Sequence, residues 1–232
     1  MNSPQNQSDA IIEFLKGLKP NLKLPPGIEV MNPFLDQEAF DLTKKFYRKF
    51  YSDHHPRIMI FGINPGRFGG GITGVPFTDP VKLQDQCGIQ NDYKKVRELS
   101  ADFVYEFIDS LGGPAKFYSN FFISAVCPLG FTSSGKNMNY YDEKKLFESV
   151  EPFIIECFKK QKELITSVET CICLGEGTNF KFFSAINEKH HFFERILPLP
   201  HPRWIMQYRK KSVLQYVELY RSQMQELIGE FF

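Results

Sequence analysis

Four short apolar runs, residues 57–62, 121–126, 170–174 and 195–199, are separated by longer stretches with apolar residues at helical spacing. That alternation constrains the fold more than any other feature. Strand, helix and strand in succession imply right-handed crossovers, parallel neighbours and helices covering both faces of the sheet. Helices are expected at 92–111, 143–166 and 179–189 between the strands, at 9–18 and 37–51 before them, and at 211–229 after them. The predicted class is α/β, a three-layer αβα sandwich with a central, mostly parallel four-stranded sheet. No internal repeat, low-complexity tract or Gly/Ser linker interrupts the chain. Residues 1–232 are therefore expected to form a single domain, with about 1–8 loose.

The charge balance narrows the partners. Lysine and arginine exceed aspartate and glutamate by one, a net charge of +1, so any hold on nucleic acid has to come from a local basic patch. No apolar run is long enough to span a membrane, and the polar start lacks the charged-then-apolar order of a secretion signal. Five unevenly spaced cysteines, Cys87, Cys127, Cys157, Cys171 and Cys173, read as reduced thiols. An intracellular protein of a bacterial-type cytoplasm is expected, acting as a monomer.

In a parallel sheet with helices on both faces, ligands bind beyond the carboxyl ends of the strands. Four unusual segments fall there. Directly after the first strand comes Gly62-Ile63-Asn64-Pro65-Gly66-Arg67-Phe68-Gly69-Gly70-Gly71, rich in bare backbone that a ligand can approach closely. It lacks the Gly-Lys-Ser/Thr ending of a P-loop and the spacing of a dinucleotide fingerprint. Next are Thr73-Gly74-Val75-Pro76-Phe77, then Cys127 to Asn137 with its Ser134-Gly135-Lys136-Asn137, and last Pro200-His201-Pro202-Arg203-Trp204. The prolines hold His201 on a rigid extended segment. Each segment alone has a plain structural explanation as a turn, a core ring or a solvated basic stretch.

Together the four resemble the single-strand-selective monofunctional uracil-DNA glycosylases, the SMUG branch of the uracil-DNA glycosylase superfamily. That family's first motif, Gly-Met-Asn-Pro-Gly-Pro-Phe-Gly followed by Thr-Gly-Val-Pro-Phe, is matched by Gly62 to Gly69 and Thr73 to Phe77 at the same separation. Its Cys-Pro-Leu and Ser-Gly-Arg-Asn are matched by Cys127 to Leu129 and Ser134 to Asn137, and its His-Pro by His201-Pro202. With Asn32-Pro33 the likeness runs from about residue 30 to the C-terminus.

The resemblance implies hydrolysis of the N-glycosidic bond of a deaminated base in single- or double-stranded DNA, leaving an intact abasic site. It implies Asn64 and His201 as catalytic residues, the first orienting water and the second donating to the base's O2. Phe77 would stack on the extruded base. Ile63, Gly66 and Phe68 would line its edge through backbone groups, and Ala125 stands where the family reads uracil with an asparagine. Arg203, Trp204 and Ile205 would form the wedge, with Ser134, Lys136 and Arg209 on the DNA and Lys210 and Lys211 nearby. No metal or cofactor is expected, since the cysteine spacings offer no iron–sulfur quartet.

Three departures matter. Ala125 cannot make an asparagine's hydrogen bonds, and losing a paired polar reader relaxes discrimination. Gly70 also replaces a bulkier residue. A broadened scope, uracil together with hypoxanthine or xanthine, is expected. The wedge is shortened to His201-Pro202-Arg203, which leaves strand preference open. The rival functions are a nucleoside or nucleotide hydrolase of the same fold and a non-catalytic lesion-binding relative.

Overall fold

In a computed structural model of the protein, residues 6–165 and 167–232 are described. The chain runs α1 (Gln7–Lys16), β1 (Ile28–Met31), a 3-10 turn (Pro33–Leu35), α2 (Gln37–Phe50), β2 (Arg57–Gly62), α3 (Gly70–Thr73), α4 (Pro80–Asp85), α5 (Leu99–Ser110), α6 (Pro114–Asn120) and β3 (Phe121–Ala125). It continues through β4 (Gly130–Ser133), β5 (Lys136–Met138), α7 (Lys144–Leu164), β6 (Ser167–Leu174), α8 (Thr178–His190), β7 (Arg195–Leu199), α9 (Pro202–Tyr208), a 3-10 turn (Lys210–Ser212) and α10 (Val213–Phe231).

The central sheet has the order β3-β2-β6-β7, with every pairing parallel. Alternation along the completely buried β2 sends Phe61 to one face, against Phe158 of α7 and Phe183 of α8. On the other face, Phe103 and Phe107 of α5 pack on Tyr220 of α10. Helices therefore cover both sides, the three-layer αβα arrangement. Among the described residues no helix is long and apolar enough to cross a membrane.

A second sheet, β1-β4-β5, is antiparallel and has no counterpart in the expectations from sequence. Its β4–β5 turn is the two-residue Ser134-Gly135, with φ of +48° and +70°. Positive φ at both positions is the tight hairpin geometry that matches strand twist. What reads as a loop in sequence is a hairpin.

Other differences have local causes. The helix expected at 92–111 begins only at Leu99, because the Glu98 amide is bound by the Asp79 carboxylate at 2.8 Å rather than by a preceding turn. Residue 166, the expected end of a helix, lies outside the described residues, as do residues 1–5 of the expected loose start. Gln7 and Ser8 are not loose; they are buried in the first turn of α1.

Gln7 helps to satisfy Arg57, a fully buried cation that opens β2. The guanidinium donates to the Gln7 side chain, to Asp53 at 2.7 Å and, through Nε, to the Tyr118 carbonyl at 2.8 Å; it also lies over the Tyr51 ring. Removing the guanidinium leaves the buried Gln7 side chain and the Tyr118 carbonyl without that partner, while Asp53 is partly exposed to water. Arg57→Ala is expected to lower unfolding free energy by about 3 kcal/mol, measured by urea denaturation, with no effect specific to the chemistry at the opposite end of the strand.

Candidate active site

The carboxyl ends of β2, β3 and β7 converge on a cavity of about 400 Å³ lined by Gly62, Asn64, Phe77, Ala125 and His201, among others. That volume falls within the range of small-molecule sites. Each functional side chain is held by a specific local device.

Asn64 lies two residues past Gly62, the end of β2, and reaches the hairpin. Its Nδ2 donates to the Met138 carbonyl at 3.1 Å, and its Oδ1 accepts from the Tyr140 amide at 3.0 Å. A carbonyl on one side and an N–H on the other permit only one orientation of the carboxamide. Oδ1 retains a second lone pair for a water.

Phe77 stands at φ +52°, a left-handed conformation that is costly for a residue with a Cβ. A network around Thr73 holds the turn. The Thr73 hydroxyl donates to the Thr78 carbonyl at 2.6 Å and accepts from the Val75 amide at 3.1 Å. The ring can come up against the end of β2 because residue 62 is a glycine. A Cβ there would come within 2.7 Å of the Phe77 ring. The ring of His201 lies 6.0 Å from that of Phe77, centroid to centroid.

His201 is the N-cap of α9, and its Nδ1 accepts from the Arg203 amide at 3.1 Å. Because Nδ1 is the acceptor, the proton of the neutral ring is on Nε2. Burial, and then the Arg203 charge, lower its pKa to about 4. The imidazole is therefore a neutral donor at every physiological pH.

Ala125 is buried at the end of β3, in register with Gly62, and its side chain brings no polar atom to the cavity wall. Gly70 does not leave free space, since a Cβ there would already be 3.2 Å from the Val75 carbonyl. Ile63 and Gly66 line the cavity, but Phe68 does not. The Gly66 carbonyl accepts from both Gly69 and Gly71, closing a turn, and Phe68 is 44% exposed with the Arg67 guanidinium stacked on it.

The expected wedge divides. Arg203 and Trp204 are exposed and line the cavity, with Arg209 stacked 4.7 Å over the Trp204 ring. Ile205 is completely buried and cannot contact DNA, because α9 begins at Pro202 and its first turn places Ile205, three residues on, on the same buried face as Pro202. Ser134 and Lys136 are exposed at the hairpin.

Sequence reasoning missed the Met138 and Tyr140 backbone groups that orient Asn64, since main-chain partners leave no trace in residue type. It also missed Glu98, a partly buried acid on the cavity wall. Burial first, and the like charge of Asp79, push its carboxyl up to about 7, against the opposing pull of Ser100 and Arg203.

Comparisons with known proteins agree on one relationship. The model of the uracil DNA glycosylase superfamily matches residues 48–225. The structure is similar to the crystal structure of wild-type SMUG2 from Pedobacter heparinus, at 45% sequence identity and a TM-score of 0.93, covering 97% of this chain and 99% of that one.

Proposed function

The chain belongs to the uracil DNA glycosylase superfamily, in its SMUG branch, and from that premise we propose that Asn64 and His201 release uracil from DNA across a pocket floored by Phe77. It is a DNA glycosylase, a hydrolase of N-glycosyl bonds that acts in base excision repair. In this reading both sheets and their helices serve one glycosylase domain.

What supports the assignment is one juxtaposition. A carboxamide with a free acceptor, a neutral imidazole with a free Nε2–H and an aromatic ring share the same cavity wall. A carboxamide takes up no proton near neutral pH, so Asn64 can orient water but hardly activate it. The glycosidic bond then breaks with little help from the nucleophile, through an oxocarbenium-like sugar, and charge builds on the departing base. His201 meets that charge at O2, while Phe77 stacks on the extruded ring in a contact worth about 1–3 kcal/mol. Water held by Asn64 adds to C1′ of the sugar, loses a proton through solvent that neutralises the released base anion, and leaves an abasic site.

The absence of a polar reader at Ala125 supports a broader scope, with hypoxanthine and xanthine accepted beside uracil. Matched strands carrying each base, scored for abasic sites by alkaline cleavage, test it. Release of all three bases is expected, and Ala125→Asn should cut purine release about tenfold by restoring an edge that pairs with uracil alone. Strict uracil release by the unmodified protein would contradict the broader scope.

Trp204 is the only tryptophan, and at 38% exposure it is available to stack on a base beside the extruded one. Its emission is expected to be quenched on binding single-stranded DNA. Trp204→Ala is expected to weaken that binding about tenfold, the equivalent of one base–aromatic stack. Unchanged emission and affinity would remove Trp204 from the interface.

A further inference from the structure

Glu98 is the one acid among the described residues that line the cavity, and nothing in the reaction above uses it. Its position is built rather than incidental. The Glu98 amide donates to Asp79 at 2.8 Å, and Asp79, itself fully buried, also caps α4 through the Lys82 amide at 2.8 Å. From that anchor the side chain runs against the Gly66–Gly69 turn. A methyl group on Gly69 would overlap Oε2, and one on Gly66 would lie 3.0 Å from Oε1. Only bare backbone admits the carboxyl there. Beyond it stands Arg203, at the start of α9, close enough for its charge to act on the carboxyl. Arg203, Trp204 and Tyr208 line the same cavity and are all exposed, which makes this its open side.

A carboxylate in that place opposes a polyanion, because like charges within about 4–6 Å disfavour one another. Two arrangements avoid the conflict. In the free enzyme the ionised carboxyl and Arg203 attract each other. With DNA bound, the carboxyl holds a proton and Arg203 is released to the phosphates.

We propose that Glu98 is a positioning residue for the DNA strand, holding Arg203 beside the Gly66–Gly69 turn in the free enzyme and, once protonated, donating a hydrogen bond to a backbone phosphate in the complex. The proposal rests on the glycosylase reading of Asn64 and His201 given above. The groups that face the carboxyl are Asp79 from the α4 cap, Ser100 from α5 and Arg203 from α9; the guanidinium of Arg67, in the turn itself, is engaged instead with the Gly135 carbonyl. Its pKa near 7 means that protonation at neutral pH costs little. One proton is then taken from solvent for each strand bound, so affinity falls as pH rises above the carboxyl's own range.

The test is fluorescence anisotropy on a single strand carrying a tetrahydrofuran abasic analogue, from pH 6 to 9. Wild-type Kd is expected to be level near pH 6 and to rise toward tenfold per pH unit above about 7.5. Glu98→Gln, neutral and still a donor, is expected to hold the pH 6 affinity throughout. Glu98→Ala, which removes the donor as well, is expected to bind several-fold more weakly than Glu98→Gln at every pH. Parallel pH slopes in wild type and Glu98→Gln, or equal affinities of the Gln and Ala variants, would overturn the proposal. Uracil release by the same wild-type protein separates the two claims. Release with parallel slopes removes the role of Glu98 alone, whereas no release removes the glycosylase reading beneath it.

Discussion

His201→Ala lowers the single-turnover rate of uracil release by at least about a hundredfold and leaves the protein folded. The size follows from what the ring supplies. A preorganised donor aimed at developing charge is worth about 2.7–4 kcal/mol, and each 1.36 kcal/mol is a factor of ten in rate. The geometry is set before substrate arrives, since the Arg203 amide occupies Nδ1 and commits the proton to Nε2. The fold survives because the loss is one helix cap, about 1 kcal/mol, at the start of a seven-residue helix. Affinity for an abasic analogue strand should change little, so the deficit falls on the chemical step. The pH dependence follows from the same ring. Its pKa is lowered from 6.5 to about 4 in the folded protein. The stability it contributes is thus complete above about pH 6.5 and is lost as pH falls from there through about 4.

Asn64→Ala is expected to cost at least as much, again about a hundredfold or more, for a different reason. The attacking water loses the acceptor that fixes its approach, and orientation of a reactant is among the larger contributions available to an enzyme. The Met138 carbonyl and Tyr140 amide also lose their partners, which costs about 1–3 kcal/mol of local stability. A second variant separates orientation from basicity. Asn64→Asp provides a better base but places a carboxylate oxygen against the Met138 carbonyl, where Nδ2 now donates. It should be as impaired as the alanine variant at pH 7. Faster release than wild type by Asn64→Asp would mean that the step needs a base.

The parts legible in the sequence were those with a strong local signature. The runs at 57–62 and 195–199 are largely apolar, the first preceded by Pro56 and the second followed by Pro200, and they coincide with β2 and β7. The second sheet was illegible because its strands are three or four residues long and rest on pairing between segments about a hundred residues apart, Val30 with Phe131 for example. Short helices such as α3, α4, α6 and α9 hold too few turns for a period to emerge. In the site, Asn64, Phe77 and His201 stood out as members of a motif, and the fold brings them to one cavity. Ile205 misled because the shortened segment after His201 reads as a loop, whereas Pro202 at once begins a helix that turns Ile205 inward. Glu98 was hidden inside a predicted helix, and only its bond to Asp79 sets it at the helix start, facing the glycine turn.

A single-turnover rate profile at saturating uracil-containing strand, from pH 5 to 8, addresses the neutral imidazole donor directly. A level wild-type profile with no inflection near 6.5, and a His201→Ala deficit that stays constant across the range, is the predicted result. A rate that climbs as pH falls through 6.5, and loses that climb in His201→Ala, would show an imidazolium at work and contradict the account.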